Sequence, residues 1–374
     1  MIYFLVNNNF CLYNAELLSK ELIGDDLGLI QIPYSLDPVI NDIRYKKILT
    51  IERLGSINEY FLKWPYKLII NLYRNCKKIE RVKKILKPEK GDILLANSEE
   101  ELMNQVVINL FKKKKAKVFL YEGGMSNYIS FNMSSEPLSI REKILMYSIR
   151  YVHGIKGYLP LKNKGYFIPR MSDKYFSGVL FSLPNKIKRN IQVFHINKVV
   201  VNNRFSYNEN NVIFLTQPMY RSYFSIESYI QNIDFVLSKL TKSFIKVYIK
   251  PHPDEIVDGI IPEIEKVALK YSNVYVINTR EIIERIISDY NVKFAVSYFS
   301  TSLLNLLFYK VEPVFIFHLF PEINDTMSKE INHYLNSIRY SFPLSFDDIN
   351  SRYSSGLIEL VRGGQQINEI LSTI

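Results

Sequence analysis

Three short runs place chemically capable side chains directly after apolar, β-forming stretches. In the first, Lys117 to Tyr121 leads into Glu122-Gly123-Gly124 and on through Asn127 and Tyr128. Adjacent glycines permit positive φ and close backbone approach, so a ligand can come near the carboxylate that the strand presents. A carboxylate held this way can take a proton from a hydroxyl as its oxygen attacks. Taken alone, the blander reading stands ahead: a glycine turn after a solvated strand end.

In the second run, Phe244 to Ile249 leads into Lys250-Pro251-His252-Pro253-Asp254-Glu255. Two prolines bracket His252 and restrict its backbone, which fixes the direction of the imidazole. Such a ring, with Lys250 beside it, can donate to a phosphate oxygen and stabilise a departing nucleotide. In the third, Lys293 to Val296 leads through Ser297 to Ser300-Thr301-Ser302 and an apolar helical run, Leu303 to Phe308. Hydroxyls at a helix start, beside unpaired N–H groups, form a ready anion site, with ordinary helix capping as the default alternative. Glu284, in the helix before this strand, reads as a ribose-diol ligand or, more commonly, an exposed helix glutamate.

The elements that must carry these runs alternate short apolar stretches with longer helical periods, the pattern of α/β layers on parallel sheets. Candidate strands are Ile2 to Val6, Leu27 to Ile32, Lys47 to Ile51, Asp92 to Ala96 and Lys117 to Tyr121, with a helix between the last two that Ser98 and Glu101 would open as a capping box. Asn185 to Asn211 is polar, basic and asparagine-rich and reads as a linker. A second series follows: Val212 to Leu215, Phe244 to Ile249, Val274 to Ile277, Lys293 to Val296 and Val314 to Phe317, separated by helical segments at Tyr223 to Leu240, Ile256 to Tyr271 and Glu281 to Ser288. The 374 residues thus divide into a Rossmann-like lobe over 1–190, a second over 191–345, and C-terminal helices over 346–374 that could cross back onto the first. Doubly wound sheets bind ligands at the carboxyl ends of their strands, where all three runs sit.

Composition narrows the chemistry. There is no P-loop, no G-x-G-x-x-G, no G-x-S-x-G elbow and no Asp-x-Asp clamp, and the five histidines do not cluster as zinc ligands do. Release of a nucleotide diphosphate usually needs a cation, whereas a monophosphate needs less help, so no metal or other cofactor is expected. Cys11 and Cys76 fit no metal spacing and suit a reducing compartment. The first residues read as a strand and not a signal peptide, and no apolar stretch reaches the ~18 residues of a span, so a cytoplasmic protein is expected. Lys+Arg of 48 against Asp+Glu of 37 gives +11, concentrated in Lys112 to Lys115 with Lys117 and in Arg74 to Lys90. Such clusters are solvated faces or docks for anionic lipid, nucleic acid or an acidic glycan, and charge alone does not choose. Nothing looks like a recognised nucleic-acid module.

Together the three runs resemble the motif set of bacterial sialyltransferases: a D/E-D/E-G motif, an H-P motif and an S-S/T motif. Here these would be Glu122-Gly123-Gly124, His252-Pro253 and Ser300-Thr301, in the expected order and each after a strand. Tyr121-Glu122-x-Gly124-x-x-x-Tyr128 looks like the family's extended pattern, and Thr216-Gln217-Pro218 resembles the strand exit that opens the nucleotide lobe of the polysialyltransferase-like branch. Gly123 departs from the pattern, standing where the family has a second acidic residue.

The resemblance implies a GT-B fold with a cleft between its lobes and metal-independent, inverting transfer from CMP-sialic acid. It makes Glu122 the general base, His252 the stabiliser of the leaving phosphate and Ser300 with Thr301 the phosphate binders, and beside these Lys250, Pro253, Gln217, Glu284 and Ser302 are expected on the nucleotide. Gly123, Gly124, Asn127 and Tyr128 would lie on the acceptor side. The implied partners are a nucleotide-sugar donor and a glycan of capsule, surface polysaccharide or lipooligosaccharide, with the lysine clusters docking on the inner membrane or binding an acidic acceptor. A GT-B transferase using CMP-Kdo or a UDP-sugar, and a non-catalytic polyanion binder, stay open as alternatives.

Overall fold

The computed structural model describes all residues except 23, 36–38, 40, 55–64, 123–127, 129–135, 164–165, 184–186, 188, 198–207, 351, 359–363 and 374; for 34–35, 65–69, 160, 163 and 166–169 it describes the backbone alone. The chain forms two units, Met1–Lys198 with Gly364–Ile374, and Val199–Gly363.

The first unit is built on β1 (Ile2–Asn8), β2 (Leu27–Ser35), β3 (Lys47–Thr50), β4 (Ile93–Ala96), β5 (Lys117–Tyr121), β6 (Tyr158–Asn163), β7 (Tyr166–Met171), β8 (Gly178–Phe181) and β9 (Val193–His195). Seven of these form one sheet in the order β3-β2-β1-β4-β5-β8-β9, and β6 with β7 makes a separate two-stranded ribbon. The sheet pairings are all parallel. That is why Phe4, Leu5 and Val6 are an unbroken apolar run: a parallel strand is covered on both faces. Helix Asn9–Ser19 follows β1 directly, and the Asn8 side chain accepts from the Cys11 N–H at 2.8 Å to cap it.

Two sequence expectations need correction here. The helix after β4 starts at Leu102, and Ser98 Oγ accepts from the Glu100 N–H, so Ser98 and Glu101 form no capping box. The polar stretch read as a linker from residue 185 contains β9, whose pairing to β8 completes the sheet edge.

The last residues return to this unit. Gln365 bridges Ile196, and the Ile367 N–H donates to Glu21 Oε2 at 3.0 Å. Ile367 and Ile370 enter the core with Phe4, Leu29 and Phe119. Gly364 makes the approach feasible, since a Cβ there would lie 2.3 Å from the Ile196 carbonyl carbon. Residues 346–358, grouped from sequence with this return, instead stay with the second unit, where Phe346 packs against Phe235 and Phe320.

The second unit carries β10 (Asn208–Leu215), β11 (Lys246–Lys250), β12 (Val274–Val276), β13 (Val292–Ser297) and β14 (Glu312–Phe315) in the order β12-β11-β10-β13-β14. All are parallel, and strand order reverses between β10 and β13. That reversal is the topological switch point where doubly wound sheets bind ligands. The segment Ile256 to Tyr271, read as one helix, is two: Pro253–Val257 and Ile261–Ala268.

Candidate active site

Glu122 follows the last residue of β5 and is 4 % exposed, so the solvated reading is overturned. Burial of a carboxylate demands partners. Ser182, the residue after β8, supplies two: its N–H donates to Oε2 at 3.0 Å and its hydroxyl to Oε1 at 2.5 Å. The Tyr128 hydroxyl also donates to Oε2 and accepts from the Leu183 N–H at 3.3 Å. Tyr128 is thus buried and tied to Glu122. His195 Nε2 lies 3.0 Å from the Ser182 carbonyl, so β9 braces the same corner. Gly123, Gly124 and Asn127 lie outside the described residues.

In the second unit the Lys250-Pro251-His252-Pro253 run leaves β11 and enters a helix at Pro253. Pro at the first helical position sacrifices no hydrogen bond. His252 is the N-cap: its Nδ1 accepts from the Asp254 N–H at 3.2 Å, which directs the ring proton to Nε2. Glu255 completes a capping box by accepting from the His252 N–H at 2.6 Å. The Glu255 carboxylate is fully buried and also accepts from Thr216 and Tyr229. It therefore ties the histidine backbone to the end of β10 and to helix Ile226–Ser243. Burial pushes its carboxyl above the ordinary range, opposed by these hydrogen bonds.

Lys250 is buried, its ammonium 3.4 Å from the carbonyls of Pro251 and Thr279. Burial lowers its pKa, and Glu284, Glu255 and Glu281 resist the shift. Glu284 is itself buried, which corrects its reading as an exposed helix residue. Its Oε1 accepts from Asn305 Nδ2 at 2.9 Å, while Oε2, also out of solvent, has no hydrogen-bond partner among the described residues. An unsatisfied buried carboxylate oxygen is costly and suits a ligand hydroxyl.

At the switch point, Gln217 Oε1 accepts from the Phe299 N–H at 2.8 Å and from Ser297 Oγ at 3.3 Å. This fixes the exit of β13 ahead of the serine run. Ser300, Thr301 and Ser302 are partly exposed. The following helix, Ser302–Leu306, has only five residues. Thr301 makes no side-chain cap; Ser300 Oγ accepts from the Ser302 N–H at 3.3 Å instead. The apolar run read as a helix over Leu303 to Phe308 is helical, but only Ser302–Leu306 is α-helix and it continues as a 3-10 turn, Leu307–Tyr309.

The structure thus places Gln217, Lys250, His252 and Ser300–Ser302 at the strand exits of one sheet, with Glu284 on helix Ile283–Ile286 bonded to Asn305 and acting on Lys250, and Glu122 with Tyr128 at the exits of the other. Sequence reasoning missed Ser182 and Glu255. Ser182 follows a four-residue apolar run too short to stand out. Glu255 did leave a signal: Pro at the first helical position and Glu at the third after His252 is capping-box spacing. Among the described residues no group of three or more His, Cys, Asp or Glu could hold a metal ion, and no helix is long and apolar enough to cross a membrane.

Two doubly wound parallel-sheet units make up the GT-B fold, and a solved structure at a TM-score of 0.50 agrees on it. The spinosyn forosaminyltransferase SpnP is similar at TM-score 0.50 with 10% identity, covering 100% of this chain and 90% of that one. MurG of Acinetobacter baumannii matches at TM-score 0.48 and 8% identity, over 100% and 98%. The UDP-GlcNAc 2-epimerase from Methanocaldococcus jannaschii matches at TM-score 0.48 and 10% identity, over 100% and 99%. No curated protein matches. The chain belongs to the alpha-2,8-polysialyltransferase family, whose model matches residues 15–316.

Proposed function

We propose that this chain transfers a sialic acid from CMP-sialic acid to a hydroxyl of a bacterial surface glycan, with inversion and without a metal ion. The observation that carries the reading is the anchoring of His252. With its backbone tied to Glu255 and Nδ1 accepting from Asp254, the ring offers Nε2–H as a fixed donor to a phosphate. Family membership supports a sialic acid donor.

In this reading the acceptor oxygen bonds to the anomeric carbon, and the bond from that carbon to the phosphate oxygen breaks. The electron pair leaves with CMP, and the acceptor proton passes to Glu122. His252 and the hydroxyls of Ser300, Thr301 and Ser302 take up charge on the phosphate, Lys250 adds positive potential, and Glu284 Oε2 receives a ribose hydroxyl. Removal of a charged monophosphate by fixed donors needs no reorganisation at the moment of bond cleavage.

Thermal stabilisation by nucleotides tests the donor. CMP should raise the unfolding midpoint of the full chain in a concentration-dependent way, and UMP or UDP should not. The reverse order would assign the site to a UDP-sugar.

A further inference from the structure

We propose that the outer face of helix Ile140–His153, with the neighbouring helix Pro65–Ile85, is a docking surface for an anionic lipid bilayer. Ile140, Ile144, Tyr147 and Tyr151 are 78 %, 63 %, 52 % and 87 % exposed. At 3.6 residues per turn, these four fall within an arc of about 60°. Met146, Ile149 and His153 on the opposite side are buried in the unit. The helix therefore has two apolar faces, and only one has a protein partner among the described residues.

The stripe belongs to a fixed element. Ser139 and Glu142 form a capping box at its start, and Gly154 ends it in the left-handed region at φ 63°. Glu142 is also paired with Lys162 at 2.9 Å, which leaves Arg141 and Lys143 as the charges flanking the stripe.

The adjacent helix continues the surface: the Cys76 thiol lies 3.7 Å from the Val152 carbonyl, holding the two side by side. Its exposed residues include Ile70, Tyr73, Arg74, Lys77, Glu80, Lys83 and Lys84, with Arg81 paired to Glu52 at 3.1 Å. Lys77 Nζ sits 4.6 Å from the Tyr73 ring centroid. Its sequence holds seven Lys and Arg against the single acid Glu80.

Charge selects the occupant. Apolar and aromatic side chains bordered by lysine and arginine suit a headgroup layer, where the former enter the acyl boundary and the latter meet anionic lipid. A second copy would set these basic side chains against each other, which disfavours self-association. Such docking would hold the enzyme beside a lipid-linked or membrane-bound glycan.

Co-sedimentation of the full chain with vesicles tests this without any nucleotide sugar, so its outcome is separate from that of the donor assignment. Wild type should bind vesicles of phosphatidylcholine with phosphatidylglycerol and bind phosphatidylcholine alone at least about tenfold more weakly. The double variants I144E/Y147E and R74E/K77E should each lose about tenfold or more on the anionic vesicles, with unfolding midpoints unchanged; I144L/Y147F should bind as wild type. The second charge-reversal pair keeps the test decisive where the first disturbs the helix. Equal binding by all variants, or no binding by wild type, would overturn the proposal. So would wild-type dimers that I144E/Y147E converts to monomers, an outcome that gives the face to a second copy.

Discussion

Ser182 donates both its backbone N–H and its hydroxyl to the carboxylate of Glu122, joining the exits of β8 and β5 across sixty residues of sequence. A buried carboxylate gripped at both oxygens holds one orientation. That is what proton abstraction from a positioned hydroxyl requires.

Ser182→Ala keeps the N–H bond and removes the hydroxyl. A buried hydrogen bond to a charged group contributes about 1.5–3 kcal/mol, so the chemical denaturation midpoint should fall accordingly. Transfer should slow through kcat, by about tenfold, with little change in KM for the donor. Wild-type kcat in this variant would remove Ser182 from the positioning of Glu122.

His252 should titrate below its ordinary value of 6.5. Burial lowers it most, the charges of Lys250 and Arg221 add to that, and Asp254 works the other way. With the folded pKa depressed, the neutral ring contributes stability that is present above pH 6.5 and is lost as pH falls through the folded pKa. NMR titration of the labelled ring should show a midpoint below 6.5 with the proton on Nε2 at neutral pH. Bound CMP should raise that midpoint, since a phosphate favours the imidazolium.

Glu284→Gln tests the unpartnered oxygen. The amide would place an N–H₂ or a weaker acceptor where Oε2 stands, so CMP affinity should drop by about tenfold, measured by calorimetry. Binding of a 2′-deoxy or 3′-deoxy nucleotide should then differ little between variant and wild type if the ribose diol is the lost contact. Full CMP affinity in the variant would exclude Glu284 from the nucleotide site.

Much of this was legible in the sequence, and the failures have physical causes. Strand runs such as Ile2 to Val6 and Lys117 to Tyr121 stand out because parallel strands are apolar throughout. The short edge strand β9 and the ribbon β6–β7 lack that signature; their residues are only partly buried or are interrupted by Pro160 and Pro169. Glu122 and Glu284 were readable as carboxylates but not as buried ones, because their burial depends on Ser182 and Asn305, which are distant in sequence. The return of the last helix to the first unit is readable from the sequence in outline, but the entry of Ile367 and Ile370 into its core is not, because Phe4, Leu29 and Phe119 are distant in sequence.

The most direct test of the account is turnover of CMP-sialic acid by Glu122→Ala beside wild type, on galactose- and sialic-acid-terminated acceptors. The variant should still gain thermal stability from CMP and lose transfer by at least ~100-fold, as removal of a general base requires. Undiminished transfer in Glu122→Ala would contradict it.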